Sequence, residues 1–173
     1  MSFTFYDHCV PITQRALKSL REILLKAQTV PDSAALLAAR LDSDMWPLSM
    51  QIWVSCDFCT KLAANLEGRE HVAEDQEITT WDTAMAQIER ALVALDALDR
   101  DAVNAKQQDK LKCLLGTGET LQLVATDYTV GWTIPNLIFH VSVAYSILRM
   151  RKVPLGKLDY LGQFMLPYHS FYV

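Results

Sequence analysis

IPNLIFHVSVAYSILRMRKVPLGKLDYLG, residues 134–162, decides the fold. Pro135 sits where the first turn of a helix tolerates a missing N–H, and the run behind it is apolar except for Asn136, His140, Ser142 and Ser146. Arg149, Arg151 and Lys152 complement the negative end of a helix dipole, and Pro154 and Gly156 stop the helix. The stretch predicts a helix over about 135–152 carrying one imidazole, followed by an aromatic tail.

Three more long helices lie upstream. Ile12, Ala16, Leu20, Ile23 and Leu24 recur at helical spacing and predict a first helix over about 5–27, with Thr4 or Asp7 near its start and Pro11 confined to the first turn. After Val30-Pro31-Asp32, the segment AALLAARL reads as a short connecting helix. A second long helix is predicted from the Asp42-Ser43-Asp44 cluster to about Glu67, with Pro47 in its first turn and Gly68 ending it. Met45, Leu48, Ile52, Trp53, Val54, Phe58, Leu62 and Leu66 cover several of its faces, so it is expected at the centre. Residues 69–78 are charged and irregular and read as an exposed loop. Thr79 or Thr80 caps a third helix whose Met85, Ile88, Leu92 and Leu95 form a bundle seam ending near Arg100. KLKCLLG and TLQLVATDY, flanking a glycine turn at Gly116-Thr117-Gly118, predict a small β-hairpin. The sum is a mainly α chain: a four-helix bundle with a hairpin before the last helix and a docked C-terminal tail.

Composition sets the outer bounds. A chain of 173 residues, 51% hydrophobic and 21% charged, is expected to form one soluble domain over 1–173. No run approaches the roughly 18 apolar residues of a membrane span, and Asp7 stands where a secretory signal is apolar, so a cytoplasmic location without membrane association is expected. A net charge of −4 with scattered Lys and Arg lacks the positive field that nucleic acid requires. Cys9, Cys56, Cys59 and Cys113 sit in apolar surroundings and are expected reduced. The spacing Cys56-Asp57-Phe58-Cys59 is that of a redox or zinc pair, but it falls in mid-helix without a second pair and reads as core packing.

The runs LIFHVSVAYSILRMRKVPLGKLDYLG, ARLDSDMWPLSMQIWVSCDFCTKLAANLEG and YDHCVPITQRALKSL carry a resemblance that spans nearly the whole chain. They resemble a family of uncharacterised fungal and bacterial proteins, a domain of unknown function within the DinB-like superfamily. The resemblance implies an up-and-down four-helix bundle and a superfamily history of metal-dependent enzymes using a histidine triad, with two histidines one turn apart on the last helix. Here the residue one turn after His140 is Ala144, and Tyr145 is rotated well away. His8, His71 and His169 lie elsewhere, so no metal or other cofactor is expected.

His140 is either a satisfied core histidine or the polar end of a ligand pocket. In the second case His140 and Asp57 are the candidate catalytic pair, although Asp57 also has Lys61 one turn away as a salt-bridge partner. Gln51, Trp53, Cys56, Trp132 and Tyr145 are the candidate substrate-binding residues. The partner expected is a small apolar organic molecule, and the chemistry a cofactor-free isomerisation, cyclisation or elimination of the type found in fungal secondary metabolism. A non-catalytic, self-associating module is the alternative, with a homodimer built on tail aromatics such as Tyr160, Phe164, Tyr168, Phe171 and Tyr172. A metal-dependent DinB-like hydrolase or transferase is third.

Overall fold

Thr4 opens the first helix with a reciprocal cap, its side chain accepting from the Asp7 N–H while the Asp7 carboxylate accepts from the Thr4 N–H. The computed structural model describes residues 3–171, with side chains through residue 168. Helix α1 runs Phe5–Gln28 and carries Pro11 inside it, beyond the first turn where the sequence confined it. A proline there removes one N–H, and neighbouring carbonyls gain another donor: the Thr13 hydroxyl bonds the Cys9 and Val10 carbonyls at 3.0 and 2.9 Å. After a 3₁₀ turn at Ser33–Ala38, α2 spans Leu48–Glu67. It starts later than the Asp42-Ser43-Asp44 cluster suggests, because Pro47 holds extended backbone (φ −68°, ψ 167°) at the cap and the residue before a proline disfavours helix. Asp42 instead caps its own turn, accepting from the Ser43 N–H at 2.6 Å. Gly68 ends α2 at φ +76°, the left-handed conformation glycine adopts without cost.

Helix α3 spans Trp81–Asp96 behind a Thr80 cap, and a short helix, α4, Arg100–Ala105, follows behind Asp99. Strands β1 (Lys110–Leu114) and β2 (Thr120–Val124) pair antiparallel, Lys110 opposite Val124 and Leu114 opposite Thr120, which is the expected hairpin. A helical turn, α5 (Ala125–Asp127), leads through a π-helical turn, Tyr128–Thr133, into α6, Ile134–Met150. The wide turn precedes Pro135, which has no N–H, and the Asn136 side-chain amide donates to the Trp132 carbonyl at 2.7 Å. Helix α6 stops at Met150, with Lys152 in the left-handed region at φ +66°.

The four long helices close a ring in which α1 and α2 each pack against both α3 and α6, while α1 and α2 touch only slightly and sit at opposite corners. The connection holding Ser33–Ala38 therefore spans the bundle diagonal, buried through Leu36 and Leu37 and tied to α3 by Trp81, whose indole donates to Ser33 at 3.2 Å. Leu17, Leu20, Ile23 and Leu24 of α1, Ile52 and Leu62 of α2, Ile88 and Leu95 of α3 and Leu137 and Ile147 of α6 are sealed from solvent. Burial of this kind contributes roughly 1.5–3 kcal/mol for each large side chain.

The tail docks on its own bundle. Helix α7, Lys157–Met165, lies against α1: Ser19 donates to the Tyr160 carbonyl at 2.6 Å, Lys26 pairs with Asp159, and Arg15 stands 5.6 Å from the Tyr168 ring centre. The expectations placed on His169, Phe171 and Tyr172 lie outside the described side chains. Among the described residues no helix is long and apolar enough to cross a membrane.

Candidate functional site

The packing of α2 on α6 brings Gln51, in the first turn of α2, to His140, in the second turn of α6. His140 Nδ1 lies 2.7 Å from Gln51 Oε1, and the other end of the same amide donates to the Trp46 carbonyl at 3.1 Å. That second bond orients the amide. An amide oxygen only accepts, so the proton of the neutral ring sits on Nδ1 and the lone pair on Nε2. Among the described residues no group bonds Nε2, and it is not among the buried polar atoms left without a partner, so it keeps contact with solvent.

Aromatic rings surround the imidazole. Trp46 stacks with it at 6.0 Å and 13°, Phe58 at 6.1 Å and 27°, and Phe139 meets it edge-on at 5.2 Å. Burial pushes the His140 pKa down from 6.5 to about 4, because the charged ring loses hydration that the apolar shell does not replace. His140 forms the floor of an open depression of about 220 Å³ lined by Asp44, Met45, Trp46, Gln51 and Phe139. Its rim is apolar and accessible, with Trp46 51% and Phe139 56% exposed over a histidine that is only 7% exposed.

Most of the other residues singled out from the sequence fall elsewhere. Asp57 neither faces His140 nor pairs with Lys61; its Oδ1 lies 2.7 Å from His71 Nε2. The reason is rotational: at about 100° per residue, six residues carry Asp57 roughly 120° around α2 from Gln51. Trp53 and Cys56 share the Asp57 side of the helix, beside a void of about 10 Å³ bounded also by Thr60, Glu74 and Gln87, room for little more than one water. The segment 69–78 is anchored there rather than free. The Trp53 indole donates to the Glu74 carbonyl at 3.1 Å, Gln87 to the Asp75 carbonyl at 2.8 Å, Arg90 grips the Glu74 carboxylate with two nitrogens, and Ile78 is buried. Tyr145 lies in a separate groove with Ser142, Tyr160 and Lys157, edge-on to Tyr160 at 5.8 Å. Trp132 packs edge-on against Phe58 at 6.2 Å, one layer behind the imidazole.

Sequence reasoning missed Asp44, Trp46, Phe58 and Phe139 as site residues. Phe139 adjoins His140 and Trp46 precedes the helix-starting Pro47, but only the docking of α2 on α6 turns these neighbours into a cage. All four cysteines are buried and free of disulfides, and burial raises every thiol pKa, that of Cys9 to about 12.

The histidine triad implied by the resemblance is not assembled. Ala144 occupies the position one turn after His140, His71 is held by Asp57, and His8 packs edge-on against Phe3 at 4.5 Å. Among the described residues no three His, Cys, Asp or Glu side chains converge as metal ligands. The residues present do not fit a DinB-type metal centre, and no step is assigned to one.

Comparison with known proteins agrees with the architecture. The chain is similar to a DinB family member protein from Shewanella denitrificans of known crystal structure, with 29% identity, a TM-score of 0.78 and 90% of each chain covered. None of the curated proteins compared with the chain matches it. Residues 5–161, from the capped start of α1 into α7, match a domain family described only as a domain of unknown function, DUF1993. With its long helices in a DinB-like arrangement and the match running through nearly all of them, the chain belongs to the DUF1993 family.

Proposed function

We propose that the protein binds a small, flat, partly apolar organic molecule in the depression above His140, with the ligand donating a hydrogen bond to His140 Nε2. The observation that carries this reading is the unpaired Nε2 lone pair at the floor of an accessible aromatic cage. Buried side-chain polar atoms are as a rule paired with protein or water; here the protein pairs Nδ1 and leaves Nε2 open to solvent or a ligand. The Gln51 bond fixes the tautomer and presents the acceptor outward, while Trp46 and Phe139 supply faces and edges for a ring to lie on.

Binding, rather than strong base catalysis, is what such an imidazole does best. At neutral pH it is fully unprotonated, but a base with a pKa of about 4 gives little driving force for abstracting a proton from carbon. Any cofactor-free isomerisation or elimination at this site draws mainly on orientation and desolvation of the bound molecule. The test is a ligand-detected NMR screen of planar fragments at pH 7 on the intact chain and on Trp46→Ala. Fragments that bind the parent, move the His140 ring nitrogen signals and lose binding in the variant are expected; fragments whose binding ignores the variant and leaves His140 unmoved overturn the reading.

A further inference from the structure

We infer that the ligand class of the His140 depression is a protonated amine carrying a flat apolar group, with the ammonium held between Asp44 and His140 Nε2. The inference rests on the small-molecule reading of this depression and adds its charge. Of the six lining residues Asp44 alone is acidic and none is Lys or Arg, and among the described residues no group bonds its carboxylate. Arg40, four residues earlier in the chain, donates to the Met45 carbonyl at 2.7 Å and forms no ion pair with Asp44.

The remaining polar equipment points the same way. His140 Nε2 offers a lone pair, while the Gln51 oxygen is taken up by His140 and one of its two N–H donors by the Trp46 carbonyl. A neutral imidazole does not repel a cation. The aromatic faces add attraction, because ring quadrupoles favour positive charge within about 6 Å of the centroid. An N–H of the ammonium donates to Nε2, its charge pairs with Asp44, and the flat group lies against Trp46 and Phe139.

One term opposes this arrangement. The amino end of α2 carries about half a positive charge, which favours anions. Of the first-turn residues Gln51 alone lines the depression, and its backbone N–H is already bonded to the Pro47 carbonyl at 3.0 Å, whereas Asp44 lines it with a carboxylate. The balance favours a cation.

Three probes with one ring and different charge decide the matter: phenethylamine, 2-phenylethanol and phenylacetate, titrated at pH 7 and low salt while the His140 ring nitrogens are followed by NMR. The amine is expected to bind about tenfold more tightly than the alcohol, the sum of a modest ion pair and a cation–π contribution, and the acetate more weakly than either. In Asp44→Asn, an exposed substitution that leaves the core intact, the advantage of the amine over the alcohol disappears. If the alcohol or the acetate equals the amine, or the advantage survives Asp44→Asn, the cation class is wrong and the pocket stands. If none of the three moves His140, the cation class fails and the small-molecule reading loses its support as well.

Discussion

Acidification between pH 6.5 and 4 weakens this fold through His140 in particular. The ring is buried neutral, with its pKa displaced from 6.5 to about 4 by loss of hydration. Above pH 6.5 the residue is neutral whether the chain is folded or not, and contributes no pH dependence. Below 6.5 the unfolded chain takes up a proton that the folded chain refuses, so the unfolded state gains about 1.4 kcal/mol for each pH unit until the native ring also protonates near 4. The loss over that window is about 3 kcal/mol, a large share of the ~5–15 kcal/mol by which domains are stable. Carboxylates with depressed pKa values, such as Asp7 at about 2, act mainly below this window. His140→Gln keeps an amide that can face Gln51 and does not ionise, so it separates His140 from every other titrating group. Urea unfolding of parent and variant at intervals from pH 7.5 to 4 measures the stability difference between them. That difference should shift in the variant's favour by about 3 kcal/mol as the pH falls, with the slope concentrated between 6.5 and 4. A difference that stays constant across the window, or an imidazole titration centred near 6.5 by NMR, refutes the burial argument and with it the neutral acceptor at the floor of the depression.

Two further outcomes follow from the packing. His71→Ala removes the 2.7 Å contact to Asp57 and should cost about 1 kcal/mol, with faster hydrogen exchange confined to residues 69–78 and no movement of the His140 signals; a shift at His140 contradicts the separation of the two histidines on opposite sides of α2. The four cysteines, sealed and with raised thiol pKa values, should resist iodoacetamide at pH 8 in the folded chain and all react in urea, so rapid native labelling of Cys56 or Cys59 counts against the buried reading of that pair.

The helices were legible because their signals act within a few residues. Thr4, Thr80, Gly68, the apolar spacing of α1 and α3, and the Pro135 start of α6 all stood at or beside the element ends they mark, as did the glycine turn of the hairpin. The start of α2 was misjudged because two signals competed: Asp42-Ser43-Asp44 offers caps, but the conformational limit imposed by Pro47 is stronger, and a helix of α2's apolar breadth shows no face that marks its first turn.

The candidate site divides along a different line. His140 and Gln51 could be named from the sequence as polar interruptions of apolar helices, since a buried imidazole or amide must find a partner. Which partner it finds depends on how far each helix is rotated about its own axis and which neighbour occupies the next corner of the bundle. Those two quantities come from the summed packing of the whole core and leave no trace in local spacing. They brought Gln51 to His140, turned Asp57 toward His71, and set Trp46 and Phe139 as walls beside the unpaired Asp44. Residue chemistry and chain-local geometry thus determined that a mainly helical bundle would hold a lone imidazole; the tertiary structure alone decided what that imidazole meets, because contacts across helices are set by packing that no short stretch of sequence encodes.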